Sequence, residues 1–173
     1  MQLPDGAVEA ILERWPVASL ATVGEDGRPH LVPIVFARSA GAIWSPVDGK
    51  PKRGGVLARI RNIRRDPRVS LLFEHYEPDW ARLWWLRAGG DAEVRIANDP
   101  GENAEEAAAV AALRLKYPQY ERVPVLGPEA TLLRIRVTAR QSWCASSEAV
   151  SRLVEPSGIE PPTSALRTQR SPS

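Results

Sequence analysis

The sequence predicts a mainly β protein with some helix, in which six antiparallel strands form a barrel and three helices lie between and beside them. Three observations carry this. Helical and strand patterns follow one another in the order α-βββ-α-ββ-α-β. The strands are joined mainly by hairpin-length turns, as antiparallel neighbours are. The helices are too few to supply the crossover that each parallel pair of a doubly wound sheet requires.

The elements follow in order. Asp5 to Trp15 places Ala7, Val8, Ile11, Leu12 and Trp15 near the three-and-four spacing of a helix, and Pro16 ends it. Residues 17–24 and 30–38 are β-rich, and Asp26-Gly27 between them is a hairpin signal. A turn at Ser39–Gly41 leads to a short strand at 42–47. Lys50–Gly55 reads as a loop, because a proline and two glycines oppose regular structure. Val56, Leu57, Ile60 and Ile63 then form one helical face, stopped by Asp66-Pro67. RVSLLFEHY (68–76) reads as a buried strand. Residues 81–88 and 91–97 read as one long strand, bulged or bent at Gly89-Gly90. The alanine-rich run after Gly101 has acids in its first turn and bases in its last, which suits the helix dipole. Residues 130–143 alternate apolar and basic side chains as a half-buried final strand.

One domain is expected over 1–150. Residues 151–173 carry prolines and serines without an aromatic residue, and read as a disordered tail or as read-through of the reading frame into a neighbouring gene. The N-terminus lacks the basic and apolar regions of a signal peptide, and no apolar run reaches membrane-spanning length. A lone cysteine, Cys144, precludes an internal disulfide and suits the reducing cytoplasm.

Charge is unevenly placed. Residues 50–68 hold eight basic side chains and one acid, while the rest of the chain is net acidic. A cluster of this kind focuses positive potential on an anion such as a phosphate. Nucleic acid is a poor fit, since the run holds no aromatic side chain for stacking and the remaining surface would repel a long polyanion. Neither GxGxxG nor the P-loop motif occurs, HExxH and CxxC are absent, and there is no GxSxG elbow. The competing reading of the basic run is a solvated helix face, which accounts for Arg59, Arg64 and Arg65 but not for Lys50, Lys52 and Arg53.

Four blocks, ATVGEDGRPHLVPIVFA (21–37), DGKPKR (48–53), RNIRRDPRVSLLFEHY (61–76) and DWARLWWLRA (79–88), resemble the pyridoxamine-phosphate-oxidase-like split-barrel superfamily. Within it they most resemble the branch of F420-dependent oxidoreductases. Gly54-Gly55 departs from that pattern. The resemblance implies an FMN-binding type of split barrel, assembled as a homodimer with cofactor sites at the subunit interface. It implies F420 as cofactor, with FMN the alternative, and a small organic molecule as substrate. A third alternative is a non-enzymatic binder of F420 or haem. The positions that match the phosphate grip are Lys50, Lys52 and Arg53, with Arg61 and Asn62 behind them. The ring would lie against Leu31, Val32, Pro33 and Ile34, with Ala21 and Thr22 opposite, and Arg87 would reach the partner subunit's cofactor. Hydride chemistry belongs to such a cofactor, so no catalytic acid or nucleophile is required of the chain.

Overall fold

Alternating burial gives these strands one core face and one outward face. In a computed structural model, which describes residues 1–47, 56–97 and 103–155, seven strands form one antiparallel sheet. They are β1 (Ala18–Val23), β2 (Pro29–Ile34), β3 (Ala37–Ser39), β4 (Ala42–Pro46), β5 (Arg68–His75), β6 (Trp84–Ile96) and β7 (Thr131–Cys144), ordered β2-β1-β5-β6-β7-β4-β3. Ala18, Leu20 and Thr22 of β1, Val69, Leu71 and Phe73 of β5, and Trp84, Leu86 and Ala88 of β6 turn to the core. Their sequence neighbours turn outward, as a period of two requires.

The expected six strands become seven because the run 30–38 is broken. Its first part pairs with β1 and its last with β4, at opposite edges of the sheet. Only Val35 and Phe36 join the two, a span of roughly 10 Å at most. The sheet must therefore curl to bring its edges together, yet β2 and β3 are not paired, so the barrel is split. Tyr117 holds the break. Its hydroxyl accepts from the Phe36 amide at 3.0 Å and lies within donating distance of the carbonyls of Phe36 (2.8 Å) and Pro16 (2.9 Å). Tyr117→Phe should cost about 1–3 kcal/mol, the price of leaving a buried amide unsatisfied, read as a lowered urea midpoint at unchanged m.

Among the described residues four α-helices are present where three were expected: α1 (Asp5–Arg14), α2 (Ala58–Arg65), α3 (Ala104–Lys116) and α4 (Ser147–Val154). The first three lie where the periodicity puts them. Residues 151–155, read from composition as the start of the tail, belong to α4 and its C-terminal cap. Ser146 caps that helix through the amides of Glu148 and Ala149, Ala149 and Leu153 are buried, and Arg14 donates to the carbonyls of Leu153 and Glu155. Residues 156–173 lie outside the described residues.

Two cores result. The larger lies inside the curved sheet and takes Ala7, Val8, Ile11 and Leu12 of α1, Ile60 and Ile63 of α2, and Leu153 of α4. The smaller packs Ala109, Val110 and Leu113 of α3 on Trp44, Ala37 and Leu132. Asn103 and Glu106 cap α3 reciprocally, the Asn103 side chain accepting from the Glu105 and Glu106 amides and donating to the Glu106 carboxylate.

At the end of α3 the Lys116 Nζ is buried without a hydrogen-bond partner among the described residues and sits 3.6 Å from the centre of the Phe36 ring. Burial pushes this ammonium down to about 7, against a smaller opposing pull from Glu13. The unfolded chain holds that proton up to about 10.5, so between the two values it binds more protons and stability rises with pH. Lys116→Met keeps the apolar stem and removes the charge. It should stabilise the protein most at about pH 6, with the gain fading toward about pH 10, in paired urea titrations.

Candidate functional site

The outward side chains of β1, β2, β5 and β6 build the site. The register sets them in rows across the strands. Ala21, Ser70 and Gly89 form a row of small residues, with Leu31 opposite Ala21 at its β2 end. Beside it run Pro33, Ser19, Leu72, Arg87 and Gln141, and next Glu74, Trp85 and Trp143. A low row beside taller ones leaves a trough. It opens as a groove of about 420 Å³ that includes Ser19, Leu31, Ser70, Leu72, Glu74 and Trp85. A second groove of about 360 Å³ continues toward the β1–β2 hairpin, past Gly27, Pro29 and Arg68. The two share Ala21 and Ser70. Gly27, at φ +78°, makes the hairpin turn that Asp26-Gly27 signals.

Two guanidiniums lie at the hairpin end of the trough, one of them in an ion pair. Arg68 is fixed by Asp66, which accepts from its Nη2 at 2.6 Å and its Nε at 2.9 Å. These bonds, with one from the Arg68 backbone amide, hold the Asp66 carboxyl down to about 2, so the pair stays ionised throughout the neutral range. Arg65 donates to the Val23 carbonyl at 2.6 Å, bringing a second guanidinium to the end of β1.

The residues expected from sequence fall into three groups. Pro33 and Arg87 are on the outer face, and Arg87 lines the larger groove, its guanidinium bonded to Gln141 on β7. Val32 and Ile34 turn inward and pack in the core, so their side chains do not face the trough. Arg61 is exposed on α2 and bonds the Val56 carbonyl, whereas Asn62 is buried and donates to Thr22 Oγ1 at 2.9 Å, bracing α2 against β1. Lys50, Lys52 and Arg53 lie outside the described residues.

Ser19, Ser70, Leu72, Glu74 and Tyr76 were not singled out from sequence, and Arg68 entered only as the last residue of the basic run. The signal was present in RVSLLFEHY, where Arg68, Ser70, Leu72 and Glu74 alternate with Val69, Leu71 and Phe73. The pair Leu71-Leu72 made the run look buried on both sides. Cys144 is fully buried, which pushes its thiol up and away from reactivity. Among the described residues no group of His, Cys, Asp and Glu is placed to hold a metal ion, and no helix is long and apolar enough to cross a membrane.

A curled, split antiparallel sheet with a trough on its outer face and two guanidiniums at one end of it defines a protein of the split-barrel class. The chain belongs to the pyridoxamine 5'-phosphate oxidase family, whose N-terminal domain matches residues 4–144. Among solved structures, it is similar to the conserved hypothetical protein Rv2991 from Mycobacterium tuberculosis, at 24% identity and a TM-score of 0.61, covering 83% of this chain and 87% of that one. It is similar also to an F420 reductase, at 25% identity and a TM-score of 0.51 over 77% of this chain and 94% of the other. HutZ, the haem storage protein of Vibrio cholerae, shares the fold at 16% identity and a TM-score of 0.59, over 83% and 95% of the two chains. No curated protein matches the sequence.

Proposed function

We propose that this protein is an F420-dependent oxidoreductase that acts on a small organic substrate in the cytoplasm, as a homodimer. One observation carries the reading: a trough of ligand size crosses the outer face of the sheet, largely apolar, with the Arg68–Asp66 ion pair at one end. Its volume is within the range of small-molecule sites. Leu31 and Leu72 offer apolar contact to a flat ring, the Ser19 and Ser70 hydroxyls offer hydrogen bonds to ring heteroatoms, and Arg87 offers a positive charge. Arg68 lies toward the end at which an anionic tail would be held. Lys50, Lys52 and Arg53 are assigned the phosphate grip by their match to the family pattern. When bound, the deazaflavin supplies two-electron hydride chemistry, and the chain has only to bind, orient and exclude water.

The dimer is argued from the same face. Leu31 is 61% exposed there and Trp143 37% exposed, apolar surface suited to cover by a second copy. Nucleic acid and membrane are not proposed as partners. Haem is disfavoured because, among the described residues, no histidine, cysteine or methionine lines the larger groove, leaving Tyr76 as the one described side chain there of a type that ligates haem iron.

The test is titration of the purified protein with F420 and, separately, with FMN, followed by tryptophan fluorescence. Saturable binding of F420 with turnover of an electron acceptor supports the proposal. Binding of FMN alone moves the protein to the flavin-dependent alternative, and binding of neither overturns both. Lys52→Ala with Arg53→Ala should weaken F420 binding by a few kcal/mol, at roughly 1.5–3 per lost charge-assisted hydrogen bond, with the melting temperature unchanged.

A further inference from the structure

The end of the trough away from the hairpin holds a carboxylate among aromatic side chains. Glu74, Trp85 and Trp143 stand side by side on β5, β6 and β7, directly across from one another in register. Tyr76 follows Glu74 on the same side of the chain and also lines the groove. No basic group pairs with Glu74 among the described residues. The nearest candidate in the groove is Arg87, two residues along β6 from Trp85, and its guanidinium is bonded to Gln141 on β7. Since β6 lies between β5 and β7, that bond draws the positive charge away from Glu74. A carboxylate is thus left open beside an indole and a phenol.

This combination has a definite chemical preference. Indole and phenol faces attract cations through their quadrupoles, tryptophan most strongly. A carboxylate adds direct attraction and repels anions. We infer that the Glu74–Tyr76–Trp85 end of the groove is the substrate end, and that it takes an organic cation, an amine or quaternary ammonium carried on an apolar body. Calling the occupant a substrate rests on the redox reading above; the preference for a cation does not. The arrangement also gives the trough a direction. An anionic cofactor tail belongs at the Arg68 end, and the cationic molecule belongs at the far end, where Glu74 would disfavour the tail.

The experiment uses three nearly isosteric, soluble probes: phenethylamine as cation, 2-phenylethanol as neutral form and phenylacetate as anion. Each is titrated into the full-length protein, with and without saturating F420, and followed by tryptophan fluorescence. The amine should bind about tenfold more tightly than the alcohol, the sum of a cation–π contact and one exposed ion pair, and phenylacetate should bind weakest. Glu74→Gln, titrated without F420, should bring amine and alcohol to within about threefold of each other. Equal binding of the three probes, tightest binding of phenylacetate, no saturable response to the amine, or a preference that survives Glu74→Gln would each overturn the inference. Those results leave the F420 reading standing if F420 still binds. Failure of both F420 and FMN to bind, with the Glu74-dependent preference intact, removes the redox reading and keeps the cation site.

Discussion

Replacing Gly90 by alanine should cost at least about 3 kcal/mol of stability and lower the melting temperature by roughly 10 °C, whereas the same change at Gly89 should stay within about 1 kcal/mol. A Cβ at Gly90 would stand 2.0 Å from the Arg136 carbonyl oxygen, 2.9 Å from its carbon and 3.0 Å from the Val137 Cα. All three are backbone atoms of β7, so no side chain can swing aside to make room. At Gly89 a Cβ would meet nothing within 4 Å. The difference comes from a bulge. Gly89 faces Ala139 and Gly90 faces Val137, which leaves Thr138 without a partner in the ladder. The Thr138 hydroxyl donates to the Gly89 carbonyl at 3.4 Å and bridges the irregularity. An extra residue on one strand bends that strand and tightens the local twist. The pairing of β6 with β7 is the longest in the sheet, so loss of the bulge would disturb the row that carries Arg87 and Gln141 as well as the fold. Parallel thermal melts of the two variants check this. Equal midpoints would show that β7 can slide away from Gly90 at little cost.

Much of this fold could be read in the residues, and the failures have particular causes. Gly89-Gly90 inside a β-rich run pointed to the bulge, although the unpaired residue proved to be Thr138 on the facing strand, about which β6 alone says nothing. Three helices follow directly from periodicity. The fourth was hidden because Leu153 sits just before a proline- and serine-rich stretch, and composition averaged over that stretch hides one buried leucine. The break between β2 and β3 depends on a hydrogen bond from Phe36 to Tyr117, residues far apart in the chain, and no local pattern encodes it. The site was half visible for a similar reason. Pro33 and Arg87 were found because the family blocks contain them. Ser70 and Ala21 matter for being small in a row that forms only when three strands pair, and smallness at one position carries no signal of its own.

That row also decides whether the trough is where a ligand lies. Ser70 belongs to both grooves, at the point where they meet, and its side chain is on the outer face. Ser70→Trp should therefore abolish F420 binding, weakening it by on the order of a hundredfold or more, because an indole there fills the low row on which a flat ring would rest and removes the contacts that bind it. Folding should be spared. Tryptophan is well accepted in strands, and at Ser70 it projects from the sheet instead of entering the core. The contrast with Gly90→Ala is one of stability against binding: Gly90→Ala should weaken the fold and disturb the site, Ser70→Trp should lose the site alone. Far-UV circular dichroism and the thermal midpoint report the first property, and the cofactor titration reports the second. A Ser70→Trp protein that melts like its parent and still binds F420 with parental affinity would place the cofactor somewhere other than this face.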